Sequence, residues 1–184
     1  MCSAGRRRAT SAGLALAAGL VGMVPALAQS GTYGVGRTPA PAEILAWGPI
    51  IGPNGEGLPP GGATAAEGKR VYQLHCARCH GASGTEGPDD RLAGGLGSLA
   101  GESPVRTVGS YWPFATTLWD YLNRAMPFDQ PGSLDSAEVY GAVAYVLYLN
   151  GIVREQDRID ASSLPRLRMP NREGFVPDPR PDVR

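Results

Sequence analysis

Cys76-Ala77-Arg78-Cys79-His80 is the stretch on which the reading of this chain turns. The pattern is C-x-x-C-H, the attachment motif of a c-type haem. Its spacing has a chemical reason. Two thiols near the end of a helix can each add to one vinyl group of a porphyrin. The imidazole of the next residue then lies under the iron as proximal ligand. Two other uses of the same residues fit less well. A redox C-x-x-C normally sits in a βαβ context, and no such pattern surrounds it. A zinc site needs a second pair of ligands, and the chain offers only His75 and His80 as histidines.

Working outward, a helix is expected just before the motif. Thr64-Ala65-Ala66-Glu67 is a capping box, in which each polar side chain satisfies the other residue's free backbone donor. Gly68, Tyr72 and His75 then fall near one face. Residues 81–110 are Gly-rich with few periodic apolar positions and read as loop. Pro113 suits a second helix start, with Phe114, Leu118 and Leu122 on one face and an end before Pro127. The last helix is capped by Asp135 with Glu138. It carries a stripe of Val139, Val143, Val146 and Leu149, and Asn150-Gly151 ends it. The expected fold is all-α, with three or four helices, long loops and little sheet. So few helices make a thin core, so something else should fill the middle.

The flanks differ from this centre. Arg6, Arg7 and Arg8, then an apolar run from Ala12 to Val24, then Ala26-Leu27-Ala28, read as a cleaved secretory signal over residues 1–28. The run is short and Gly-rich for a membrane anchor, which needs about 20 apolar residues. Residues 29–63 read as an extended Gly/Pro-rich arm with one apolar island at Ile44-Leu45-Ala46-Trp47. Residues 64–152 form the central domain. Residues 153–184 form a Pro/Arg-rich extension expected to wrap the domain or a partner.

The 184-residue chain has 17 basic and 17 acidic side chains, so no broad positive field invites nucleic acid. Loss of residues 1–28 removes three arginines and no acid, which leaves a net charge of −3. It also removes Cys2. Of three cysteines, only Cys76 and Cys79 remain, both committed to thioether bonds.

The iron of such a haem needs a sixth ligand or an open position. His75 lies beside Cys76 on the proximal side, so Met126 and Met169 are the candidates. Met126 follows a helix end, and Pro127 stiffens its loop, which favours Met126. Methionine ligation favours ferrous iron and suits electron transfer. Tyr111, Trp112 and Trp119 could donate to haem propionates, although aromatics at helical spacing are more often core. Arg78, Arg91 and Arg106 could balance propionate charge or face a partner, although solvated surface is the commoner use of any one of them.

With its C-x-x-C-H after an N-terminal helix, a Met loop 46 residues on and a final helix carrying aromatics, the chain resembles a class I c-type cytochrome. The resemblance implies that the first and last helices cross near Gly68 and Tyr72 on one side and Ala142 and Tyr145 on the other. It also implies that a proline carbonyl orients the proximal imidazole, with Pro88 the matching residue. A narrower resemblance rests on Ser110-Tyr111-Trp112-Pro113-Phe114-Ala115-Thr116-Thr117-Leu118, Arg124-Ala125-Met126-Pro127-Phe128, Gly57-Leu58-Pro59-Pro60-Gly61 and Met169-Pro170-Asn171-Arg172-Glu173-Gly174-Phe175. These are similar to the cytochrome subunit of Sox sulfane dehydrogenase and its sulfite dehydrogenase relatives. That implies a periplasmic, monohaem electron-transfer subunit. Its partner would be a molybdenum-cofactor dehydrogenase, and its acceptor a soluble cytochrome or oxidase. The rival readings are a carrier for another exported dehydrogenase, a haem enzyme acting on peroxide or thiosulfate, and a haem sensor.

Overall fold

The computed structural model describes residues 35–180, so the signal sequence read at residues 1–28 lies outside the described residues. Residues from Pro39 onward form one compact unit. In chain order its elements are α1 (Pro41–Ala46), β1 (Gly62–Ala63), α2 (Ala65–His75), α3 (Ala77–His80), α4 (Ala115–Ala125), α5 (Ser136–Leu149) and β2 (Ile159–Asp160). Two single 3-10 turns, Ser98–Ala100 and Leu164–Arg166, complete it. The expectation of an all-α architecture holds. Among the described residues the one sheet is a two-residue antiparallel pairing of β1 with β2, in which Ala63 faces Ile159.

The capping boxes form as the sequence requires. Thr64 Oγ1 accepts from the Glu67 amide while Glu67 accepts from the Thr64 amide at 2.7 Å. Asp135 and Glu138 repeat the exchange at the start of α5. Asn150 ends α5 and then acts beyond it. Its amide donates to the carbonyls of Val146 and Leu92, and its carbonyl accepts from the Gly94 amide. That ties the 92–94 loop to the helix end. The second helix starts at Ala115, two residues after Pro113, because Phe114 still holds an extended backbone.

The core is the crossing of α2 with α5. A Cβ added at Gly68 would lie 1.8 Å from the Gly141 carbonyl oxygen, so the two backbones meet where neither residue has a side chain. The expected contact at Ala142 therefore shifts by one residue to Gly141. Tyr72 and Tyr145 pack beside it with their rings tilted at 50°, centroids 4.9 Å apart. Helix α5 is buried all round from Val139 to Leu147 rather than along a stripe, because α2, α4, β1 and β2 all pack against it. Tyr72 is fully buried, and its hydroxyl donates to the Gly81 carbonyl at 2.9 Å. Tyr72→Phe should cost about 1 kcal/mol, since it leaves that carbonyl short of a donor while packing is kept. Urea unfolding of the variant measures this.

Both flanks fold back onto the centre. Ile159, Leu164 and Met169 of the C-terminal extension are buried in the main core. Met169, only 1% exposed, is thus a packing residue, which explains its burial without a metal. The arm contains a short helix, α1, where only an apolar island was expected. Pro41 opens it, and Glu43 favours its first turn.

Candidate functional site

Five segments meet around a cavity of about 1050 Å³. The end of α2 with α3 supplies His75, Cys76, Arg78, Cys79 and His80. The loop after it supplies Pro88 to Leu92. The segment before α4 supplies Arg106, Tyr111 and Trp112, and α4 with the residue that ends it supplies Leu118, Leu122 and Met126. Ala142 and Val146 on α5 line it as well. Cys76, Cys79, His80, Pro88, Tyr111, Trp112 and Met126, all singled out from the sequence, therefore line one cavity. Trp119 and Met169 do not line it. Trp119 packs against Tyr140, centroids 5.5 Å apart.

His80 donates from Nδ1 to the Asp90 carbonyl oxygen at 2.7 Å. A carbonyl can only accept, so the bond fixes the tautomer and leaves Nε2 with its lone pair free. This corrects the expected partner, because the orienting carbonyl is that of Asp90 and not of Pro88. The cause is the path of the loop. Gly87 lies so close to α3 that a Cβ there would come within 2.0 Å of the Cys79 carbonyl oxygen. The Asp89 amide then donates to that same oxygen at 3.0 Å, which places the next carbonyl, that of Asp90, against the ring. Pro88 remains a lining residue. The turn ahead of it is tied by Glu86, which accepts from Ser83 and Thr85. Those bonds hold the Glu86 carboxyl at about 2, well below its ordinary range.

No disulfide joins Cys76 to Cys79. Burial, then the neighbouring Cys79, pushes the Cys76 thiol up to about 11. A hydrogen bond to Asp89, then desolvation, raises Cys79. A redox or nucleophilic cysteine needs the opposite shift. Among the described residues no group of three or more His, Cys, Asp and Glu could hold a metal ion, which leaves the zinc alternative without its second pair.

The wall before α4 is built from buried polar groups. Ser110 Oγ donates to the Val105 carbonyl, and Thr107 Oγ1 to the Gly94 carbonyl, both at 2.6 Å. The guanidinium of Arg106 lies 5.7 Å from the Tyr111 ring centroid. The C-terminal extension holds this wall from outside. Asn171 donates to the Tyr111 carbonyl at 2.8 Å, and Phe175 packs edge-on against the Tyr111 ring. The cavity thus has an apolar floor, an imidazole nitrogen, a thioether, two thiols and arginines at its rim. That set matches a large flat macrocycle with acidic edge groups and an iron that accepts nitrogen and sulfur.

Residues 63–146 match the family described as cytochrome c oxidase, cbb3-type, subunit III. The crystal structure of the sulfane dehydrogenase SoxCD from Paracoccus pantotrophus contains a chain 40% identical to this one. The match covers 82% of this chain and 75% of that one, with a TM-score of 0.72. This chain belongs to the c-type cytochromes. No curated protein matches it.

The cytochrome takes a haem c and has the cytochrome c fold, and electron transfer is the function that fold supports. The likeness to the SoxCD chain reaches beyond residues 63–146, so it includes parts of the flanking segments as well as the central domain. Among the described residues no helix of the cytochrome is long and apolar enough to cross a membrane.

Proposed function

We propose that this cytochrome is an exported, periplasmic electron carrier with one haem c, serving as the electron-accepting subunit of a molybdenum-dependent sulfite or sulfane dehydrogenase. The observation that carries the reading is the single cavity that gathers Cys76, Cys79, His80 and Met126. Cys76 and Cys79 are the attachment thiols. His80 Nε2, with its ring oriented through the Asp90 carbonyl, and the Met126 thioether would hold the iron. Pro88, Tyr111 and Trp112 line the bound group, with Arg106 beside Tyr111 to balance acidic edges. When bound, the haem supplies one-electron exchange at a near-constant geometry. The chain's part is to hold the iron ligands, exclude water from the apolar floor and leave one edge open to partners. The sulfur-oxidising partner is supported by the 40% identity to a chain of a sulfane dehydrogenase. Electrons would pass on to a soluble cytochrome or an oxidase. A carrier for a different exported dehydrogenase is the second reading, favoured by the broader family match of the central domain.

Two measurements test the proposal. The purified protein should keep its haem through a denaturing gel, and Cys76→Ala with Cys79→Ala should abolish that retention. Sulfite or a sulfane substrate should reduce the haem only when a molybdenum dehydrogenase subunit is added. Reduction with turnover by the purified cytochrome alone would show a haem enzyme instead.

A further inference from the structure

Helix α4 carries two rows of residues at four-residue spacing on opposite faces. Leu118, Leu122 and Met126 line the cavity. Thr116, Asp120 and Arg124, two positions ahead of each, point away from them, since two residues turn a helix by about 200°. The second row is fastened to the N-terminal arm. Thr116 Oγ1 donates to the Pro53 carbonyl at 3.3 Å. Asp120 accepts from the Ile51 amide at 3.3 Å. Arg124 donates to the carbonyls of Pro49 and Trp47 at 2.6 and 2.7 Å, and its Nε pairs with Asp120 at 2.9 Å. The arm thus runs antiparallel along the back of the helix, one rung per turn.

We propose that this ladder is a brace for the iron ligand: Arg124, supported by Asp120 and Thr116, clamps the arm to the last turn of α4 and fixes Met126 in the cavity. The inference rests on the proposed ligand role of Met126. Three observations carry it. The backbone leaves the helix at Met126, which adopts an extended conformation, and helix ends open locally unless something holds them. Arg124 sits in that last turn, two residues before the ligand. Its side chain and that of Asp120 are each only 19% exposed, so the pair is less screened than a surface ion pair. All three guanidinium nitrogens are engaged, a geometry that a lysine cannot reproduce. Arg124 is therefore a positioning residue, acting on the iron through Met126.

The test uses the full-length ferric holo-protein and follows the rate at which added imidazole displaces the internal ligand. Arg124→Gln should speed displacement about tenfold, the scale expected when charge-assisted hydrogen bonds are lost. Arg124→Lys should give a smaller rise, and Thr116→Val about twofold from the loss of one weak rung. Ile159→Val, which trims β2 where it packs on α5, should leave the rate unchanged. If Arg124→Gln does not accumulate as holo-protein, Arg124→Lys and Asp120→Asn carry the same measurement. Wild-type rates in the Arg124 and Asp120 variants would overturn the brace. An equal rise in Ile159→Val would also overturn it, by showing that the effect is general destabilisation. Met126→Ala separates the two readings: if it keeps the Met-to-iron charge-transfer band, the ligand assignment fails and not the brace alone.

Discussion

Replacing Met126 with alanine should abolish the Met-to-iron charge-transfer band of the ferric protein and lower its reduction potential by on the order of 100 mV. The side chain lines the cavity at the end of α4, and among the described residues no other methionine does. Removing it leaves an apolar wall of Leu118 and Leu122, which has no lone pair to offer the iron. A thioether stabilises ferrous iron over ferric, so its loss favours the oxidised state. The open position should then bind imidazole or cyanide without the delay of displacing a ligand. Met169→Ala gives the contrast. That side chain is 1% exposed within the core, so its removal should cost about 2–5 kcal/mol of stability and leave the band in place. Visible spectra and urea unfolding of the two variants decide the matter. A band that survives in Met126→Ala and vanishes in Met169→Ala would reassign the ligand.

Gly68→Ala should be one of the most damaging single-methyl changes among the described residues, with a loss of at least about 3 kcal/mol. Alanine in a helix ordinarily gains about 0.5–1 kcal/mol over glycine, so intrinsic propensity predicts the opposite sign. Crowding wins here, because the new Cβ would lie 1.8 Å from the Gly141 carbonyl oxygen. That atom is backbone of a helix buried all round, so it cannot rotate away as a side chain would. Helices α2 and α5 must separate, and Ala142 and Val146 of α5, which line the cavity, must move with them. Natural domains hold about 5–15 kcal/mol in total, so little holo-protein should accumulate. Gly141→Ala should be milder, since its Cβ would meet the Gly68 Cα at 3.0 Å. Haem content per purified chain and the urea midpoint measure both.

Capping boxes at Thr64 and Asp135 were legible because a cap is a contact between residues three apart. The C-x-x-C-H motif was legible for the same reason: its chemistry lies within one helical turn. Met126 could be picked from its loop setting, and the cavity gathers it with Cys76, Cys79 and His80. Asp90 could not be picked. Its part is played by a backbone carbonyl, which every residue has, and only the close approach of Gly87 to Cys79 selects it. The shift of the helix crossing from Ala142 to Gly141 is of the same kind, since a one-residue register depends on how two helices seat. The row Thr116, Asp120, Arg124 did leave a signal, a polar stripe opposite Leu118 and Leu122. Its partners are carbonyls and an amide some 63 to 77 residues away, which no local pattern names.

The sequence by itself determined the helical class and pointed to the thiol pair, the imidazole and the choice of thioether, because each depends on residue type at short spacing. Tertiary structure decided which carbonyl orients the imidazole, which glycine receives the neighbouring helix, and that both flanks close over the centre. Those outcomes depend on backbone groups brought together across long loops. Backbone groups are chemically alike at every position, so only packing tells them apart.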